Sequence, residues 1–169
     1  MKKEDVLVGL SLLISLFIYL FYRTERTLVN ELFLQLISAS TYTHLKTIIV
    51  RSLPLNALVI YSIPEGLWMF CITMTSKPYY IRLFQHRIAC WYIPLVFCFS
   101  LEFLQLIHIT NGRFDYMDIV IFVPFWLLGR YCFPDKNEKQ HILASLNTKT
   151  LFCFVSYGLV YLAHVFNSG

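Results

Sequence analysis

The chain has 169 residues, of which 57% are apolar and only 14% are Asp, Glu, Lys or Arg, against about 25% charged residues in a typical soluble protein. With 15 Phe, 11 Tyr and 3 Trp, it has too little polar surface to keep a small domain dissolved, and lipid is the expected solvent. Five spanning helices of about 20 residues each leave room for loops only, which excludes an added soluble catalytic domain, a Rossmann unit or a nucleic-acid module.

The first expected span covers 6–22, between Met1-Lys2-Lys3-Glu4-Asp5 and Arg23-Thr24-Glu25-Arg26. Bulky Phe21-Tyr22 before Arg23 suit an anchor that stays in place better than a cleaved secretory signal. In the loop 23–52, Leu28, Leu32, Gln35, Leu36 and Ala39 fall at helical spacing. They predict either an amphipathic helix on the membrane surface or a cap on the bundle.

The second expected span, 53–76, is punctuated by Pro54 and Pro64. Ser62-Ile63-Pro64-Glu65 reads as a helix start, with Ser62 accepting from open amides and Glu65 completing a capping box. The stretch 53–63 would then be non-helical and packed against other helices, or Ser62 would sit at the interface and begin a short, tilted helix. The remaining spans are expected at 91–110, 117–131 and 151–166. No internal repeat or linker stands out, so residues 1–169 read as a single all-α domain, a polytopic helical bundle.

Lys2, Lys3, Lys77, Arg82, Arg87, Arg130, Lys136, Lys139 and Lys149 fall on one side of such a bundle, and Arg23, Arg26, Lys46, Arg51 and Arg113 on the other. The excess of basic residues marks the cytoplasmic side, which predicts the N-terminus inside and the C-terminus outside. Elsewhere the net charge of +4 is spread in ones and twos. Phosphate tracking needs a clustered basic stripe, so no nucleic-acid partner is expected. Five cysteines without a Cys-x-x-Cys indicate neither a disulfide framework nor a zinc site, and they read as small buried apolar residues.

One stretch breaks the apolar rule. Glu102 is the twelfth residue of its expected span, past the midplane toward the outer side, where an ionised carboxylate costs roughly 3 kcal/mol. Gln105 and His108 project from the same face. Asn111-Gly112 marks a turn, and Asp115 and Asp118 open the next helix, where carboxylates meet open amides and the positive dipole end. Arg113 in the turn can reach Glu102 or Asp118 with a bidentate guanidinium.

These residues make a polar pocket of Glu102, Gln105, Arg113, Asp115 and Asp118, with His108, Ser62 and Glu65 as secondary candidates. Its groups either tie helices together or receive a polar ligand such as a lipid headgroup. No metal-ligand spacing, cofactor motif or known nucleophile arrangement is present, so no metal or cofactor is expected. Acid–base work by Glu102 with Asp118 is the enzymatic alternative.

The order Glu102-x-x-Gln105, Arg113, Asp118 and Gly129, with Asn56 and Pro64-Glu65-Gly66 ahead of it, resembles the VanZ-like membrane proteins. The resemblance covers about 56–129. The chain departs from that pattern at Phe122, where the family usually has Asn, at Phe125 in place of a middle glycine, and in the five-residue step from Arg113 to Asp118.

The resemblance implies a multi-pass protein of the bacterial cytoplasmic membrane acting at the cell envelope. The family's founding member is associated with low-level resistance to the glycopeptide teicoplanin. Expected partners are membrane lipid, a lipid-linked cell-wall precursor or another membrane protein. The competing classes are a structural accessory subunit and an intramembrane hydrolase of an envelope lipid.

Overall fold

In the computed structural model, residues 3–23, 28–109, 114–133, 139–144 and 146–164 are described. Helix α1, Lys3–Tyr22, places Glu4 and Asp5 in its first turn, where carboxylates favour the dipole. Two short helices follow, α2 (Leu28–Leu36) and α3 (Ala39–Ser52). The break between them lies at Ser38, whose hydroxyl accepts from the Thr41 amide and so starts a new helix. The spacing from Leu28 to Ala39 therefore belongs to two helices, not one.

Helix α4, Ala57–Ser76, corrects the expected second span. Its cap is Asn56, whose side chain accepts from the Val59 amide at 2.9 Å. Ser62 lies inside the helix and starts nothing, and Pro64 is an interior residue. A proline removes one helical hydrogen bond and crowds the preceding turn. Two carbonyls of the same turn bond to side chains from α1 and the residue after it: Tyr61 O accepts from Arg23 at 2.8 Å, and Pro64 O accepts from Ser15 at 3.0 Å.

Next comes a feature absent from the sequence reading, a small sheet. Strands β1 (Tyr79–Leu83) and β2 (His86–Ala89) form an antiparallel hairpin, and β3 (Gln140–His141) pairs with β1 in parallel. A turn of 3-10 helix at Cys90–Tyr92 leads into α5, Ile93–Leu106. Helix α6 is Tyr116–Tyr131 and α7 is Thr148–His164. The chain is thus mostly helical, with seven helices among the described residues.

Helices α1 and α4 run antiparallel. Cys71 contacts Val8 O, Ser15 meets Pro64 O, and Tyr22 donates to Leu53 O, so one number rises as the other falls. Helices α4 and α6 run parallel and close together. A Cβ on Gly66 would lie 2.5 Å from the Phe125 ring, and one on Gly129 would lie 3.1 Å from Thr73. Lys77, buried at the end of α4, donates to Phe133 O beyond α6 and to Gly129 O, satisfying carbonyls that a helix end leaves open.

The core gathers Val8, Leu12, Tyr19, Trp68, Phe70, Cys71, Ile72, Met74 and Val160 from α1, α4 and α7. The sheet joins the segments that connect α4 to α5 and α6 to α7, so these connections share one end of the bundle. Helix α3 holds the opposite end: Tyr42 donates to Leu20 O at 2.6 Å, and Lys46 to Arg23 O at 2.9 Å.

Two helices, α1 and α4, are long and apolar enough to cross a membrane, with mean hydropathy 2.1 and 1.5. With 14, 16 and 17 residues, α5, α6 and α7 measure about 21, 24 and 26 Å, less than the roughly 30 Å of a hydrocarbon core. Their outer faces are apolar nonetheless: Val96 is 62% exposed, Phe103 60% and Leu151 60%, as Leu13 of α1 is 64%. Cys71, Cys90 and Cys153 are buried, whereas Cys98 is half-buried and Cys132 exposed.

Candidate functional site

The polar site is anchored by Tyr19 of α1, Arg23 just past its end, and residues on α4. Tyr19 and Arg23 stand one helical turn apart, as do Tyr61 and Glu65 on α4, so each pair shares a face. Arg23 Nη2 lies 2.7 Å from Glu65 Oε1, and both side chains are 11% exposed. The Tyr19 hydroxyl donates to the same oxygen at 2.7 Å and accepts from Arg23 Nη1 at 2.9 Å. The guanidinium also covers the Tyr19 ring, 4.2 Å from its centroid. A charge withdrawn from water is tolerable only when its hydrogen bonds are replaced in this way.

Carboxylates from α5 and α6 approach this knot. Glu102 is buried and accepts from the Asp115 backbone amide at 3.2 Å, which ties the end of α5 to the start of α6. Asp115 caps α6, its side chain accepting from the Met117 amide at 2.9 Å. Asp118, half-buried in the first turn of α6, lies within electrostatic reach of Glu65, Glu102, Asp115 and Arg23. Four helices therefore bring Arg23, Glu65, Glu102 and Asp118 into one neighbourhood.

The remaining expected residues fall differently. Arg113 lies outside the described residues. Gln105 is half-buried, and its carbonyl accepts from the His108 amide as α5 ends. His108 has φ +56° and an exposed side chain. Its amide bonds to Gln105 O while that of Ile109 bonds to Leu104 O, the paired pattern that terminates a helix through a left-handed residue. His108 thus acts through its backbone, and it ends the expected third span at Leu106 instead of Thr110. Ser62 is an interior helix residue outside the knot, whereas Glu65 is central to it.

Sequence reasoning missed Arg23 and Tyr19. By sequence Arg23 reads only as a flanking charge, although its one-turn spacing from Tyr19 is legible. Among the described residues, no group of three or more His, Cys, Asp or Glu could hold a metal ion. The chain matches no family model, no curated protein and no solved structure.

Proposed function

We propose that the chain is a VanZ-like integral membrane protein of the bacterial cell envelope. It crosses the cytoplasmic membrane five times, N-terminus inside and C-terminus outside, and its outward polar site engages the headgroup of a lipid or of a lipid-linked wall precursor. The observation that carries the reading is the gathering of Arg23, Glu65, Glu102 and Asp118 between helices whose outer faces are apolar. Ionisable groups at such depth mark a functional site by default. Support for the orientation comes from Lys77, Arg82, Arg87, Lys139 and Lys149, which belong to the sheet end, as an inner face requires.

A second reading, a structural subunit whose polar groups lock its helices, is favoured by the direct bonds among Tyr19, Arg23 and Glu65. The two separate by experiment. Glu102→Gln and Asp118→Asn are produced in a bacterial host beside the wild type, and folded yield and teicoplanin susceptibility are measured. Normal yield with altered susceptibility supports a headgroup site; lost yield supports the lock. Normal yield with wild-type susceptibility in both variants would sink the assignment of a site to these carboxylates.

A further inference from the structure

The sheet presents a basic face at the end opposite the polar knot. Residues paired across an antiparallel ladder project to the same side, so Tyr80, Arg82, Arg87 and Ala89 share one face through the pairs Tyr80↔Ala89 and Arg82↔Arg87. The other face turns inward, with Tyr79 and Ile81 packed beside Cys90 and Cys153. Arg82 and Arg87 are both exposed and stand directly opposite each other, an arrangement of like charges that weakens a sheet. An anion between them reverses that sign.

A cavity of about 420 Å³ lies on this face, lined by Tyr80, Arg87, Ala89 and Lys139. Tyr80 is its aromatic lining residue: Arg87 sits 5.2 Å from the Tyr80 ring centroid, and His141 meets the same ring edge-on at 5.5 Å. Among the described residues, no carboxylate pairs with Arg82, Arg87 or Lys139. Beyond the arginines the hairpin ends in an apolar tip, with Leu83 52% and Phe84 90% exposed. Phe84 holds φ +53°, a left-handed backbone that costs a bulky residue energy and that glycine would adopt freely.

We infer that this basic face docks the phosphate groups of anionic phospholipids, with Phe84 at the hairpin tip inserted among the acyl chains beside them. The inference rests on the membrane reading above and concerns the inner leaflet. Basic residues beside an anionic membrane surface are favoured there, each by about fivefold in binding. An aromatic tip ahead of them suits the headgroup boundary.

The full chain, purified in a neutral detergent, is examined by native mass spectrometry with phosphatidylglycerol and then phosphatidylcholine mixed into the micelles. Expected is preferential retention of phosphatidylglycerol, weakened about thirtyfold in Arg82→Gln/Arg87→Gln and about fivefold in Lys139→Gln. The variants are expected to melt no lower than the wild type, because the substituted side chains are exposed and the double variant removes a like-charged pair. Equal retention of the two lipids overturns the inference, as does undiminished binding by the double variant.

Inorganic phosphate that displaces phosphatidylglycerol mole for mole assigns a free-anion site and also overturns it. An RNA oligomer that outcompetes the lipid does the same. Carbonate extraction of membranes tests the spanning assignment separately. A chain that resists extraction yet binds no phosphatidylglycerol refutes the inference alone. A chain that washes off but retains lipid selectivity refutes the spans and supports the docking face.

Discussion

Arg23 and Glu65, 42 residues apart in sequence, meet at 2.7 Å with both side chains nearly buried. Removing one member of such a pair leaves its partner's charge buried, which costs about 3 kcal/mol or more. Replacing both by apolar residues removes the charge and its desolvation together. Glu65→Gln is therefore expected to lower the unfolding midpoint in detergent, and Arg23→Met/Glu65→Met to recover much of the loss. Single and double variants measured side by side decide it; losses that simply add would show that the pair is not coupled.

The start of α4 predicts a contrast between two small polar residues. Asn56 supplies the cap through Val59 N, whereas Ser62 lies within the helix. Asn56→Ala should cost about 1 kcal/mol, the usual value of a lost N-cap, while Ser62→Ala should lie within about 0.5 kcal/mol of wild type. Urea unfolding of the detergent-solubilised protein reads both. A large loss on Ser62→Ala with none on Asn56→Ala would place the helix start at Ser62 after all.

That contrast shows where local rules reached and where they stopped. The apolar helices and the acidic opening of α6 were legible because they depend on composition and on nearest turns: Asp115 caps the helix that it precedes. Pro64 reads as a helix start from local rules, yet it stands inside α4, which packs against α1 through contacts such as Ser15 to Pro64 O, 49 residues apart. The hairpin is not legible because Tyr79 to Leu83 holds a single charged residue, Arg82, among apolar and aromatic ones, so the alternation that marks a strand does not register. The left-handed His108 carries no glycine signal, so the expected third span overruns the end of α5. The Glu65 partner was hidden for the same reason as the proline's: sequence spacing says nothing of contacts between separate helices.

Close approach of α4 and α6 gives a further prediction. Because an added methyl on Gly66 would overlap the Phe125 ring at 2.5 Å, Gly66→Ala should destabilise by about 1–3 kcal/mol, the usual range for overpacking. In a Phe125→Ala background the ring is gone and the same substitution should cost little. Thermal melts of the four proteins complete the cycle. If Gly66→Ala costs as much without the ring as with it, the two helices do not pack through this contact.

The orientation can be tested with a cysteine that the chain already carries. Cys132 is exposed just past the end of α6, beside Phe133, whose carbonyl receives Lys77 at the sheet end of the bundle. Cys71, Cys90 and Cys153 are buried, and Cys98 is half-buried within α5. Maleimide chemistry needs a hydrated thiolate, so Cys132 should dominate the labelling. A membrane-impermeant maleimide should modify the chain in inverted vesicles and leave it unmodified in intact cells, and Cys132→Ser should abolish most of the signal. Labelling from the outside of intact cells would reverse the orientation, moving the polar knot to the cytoplasmic side and the basic sheet face to the outer leaflet. Equal labelling of Cys132 from both sides would mean that the chain inserts in both orientations, and the single N-inside assignment would fall.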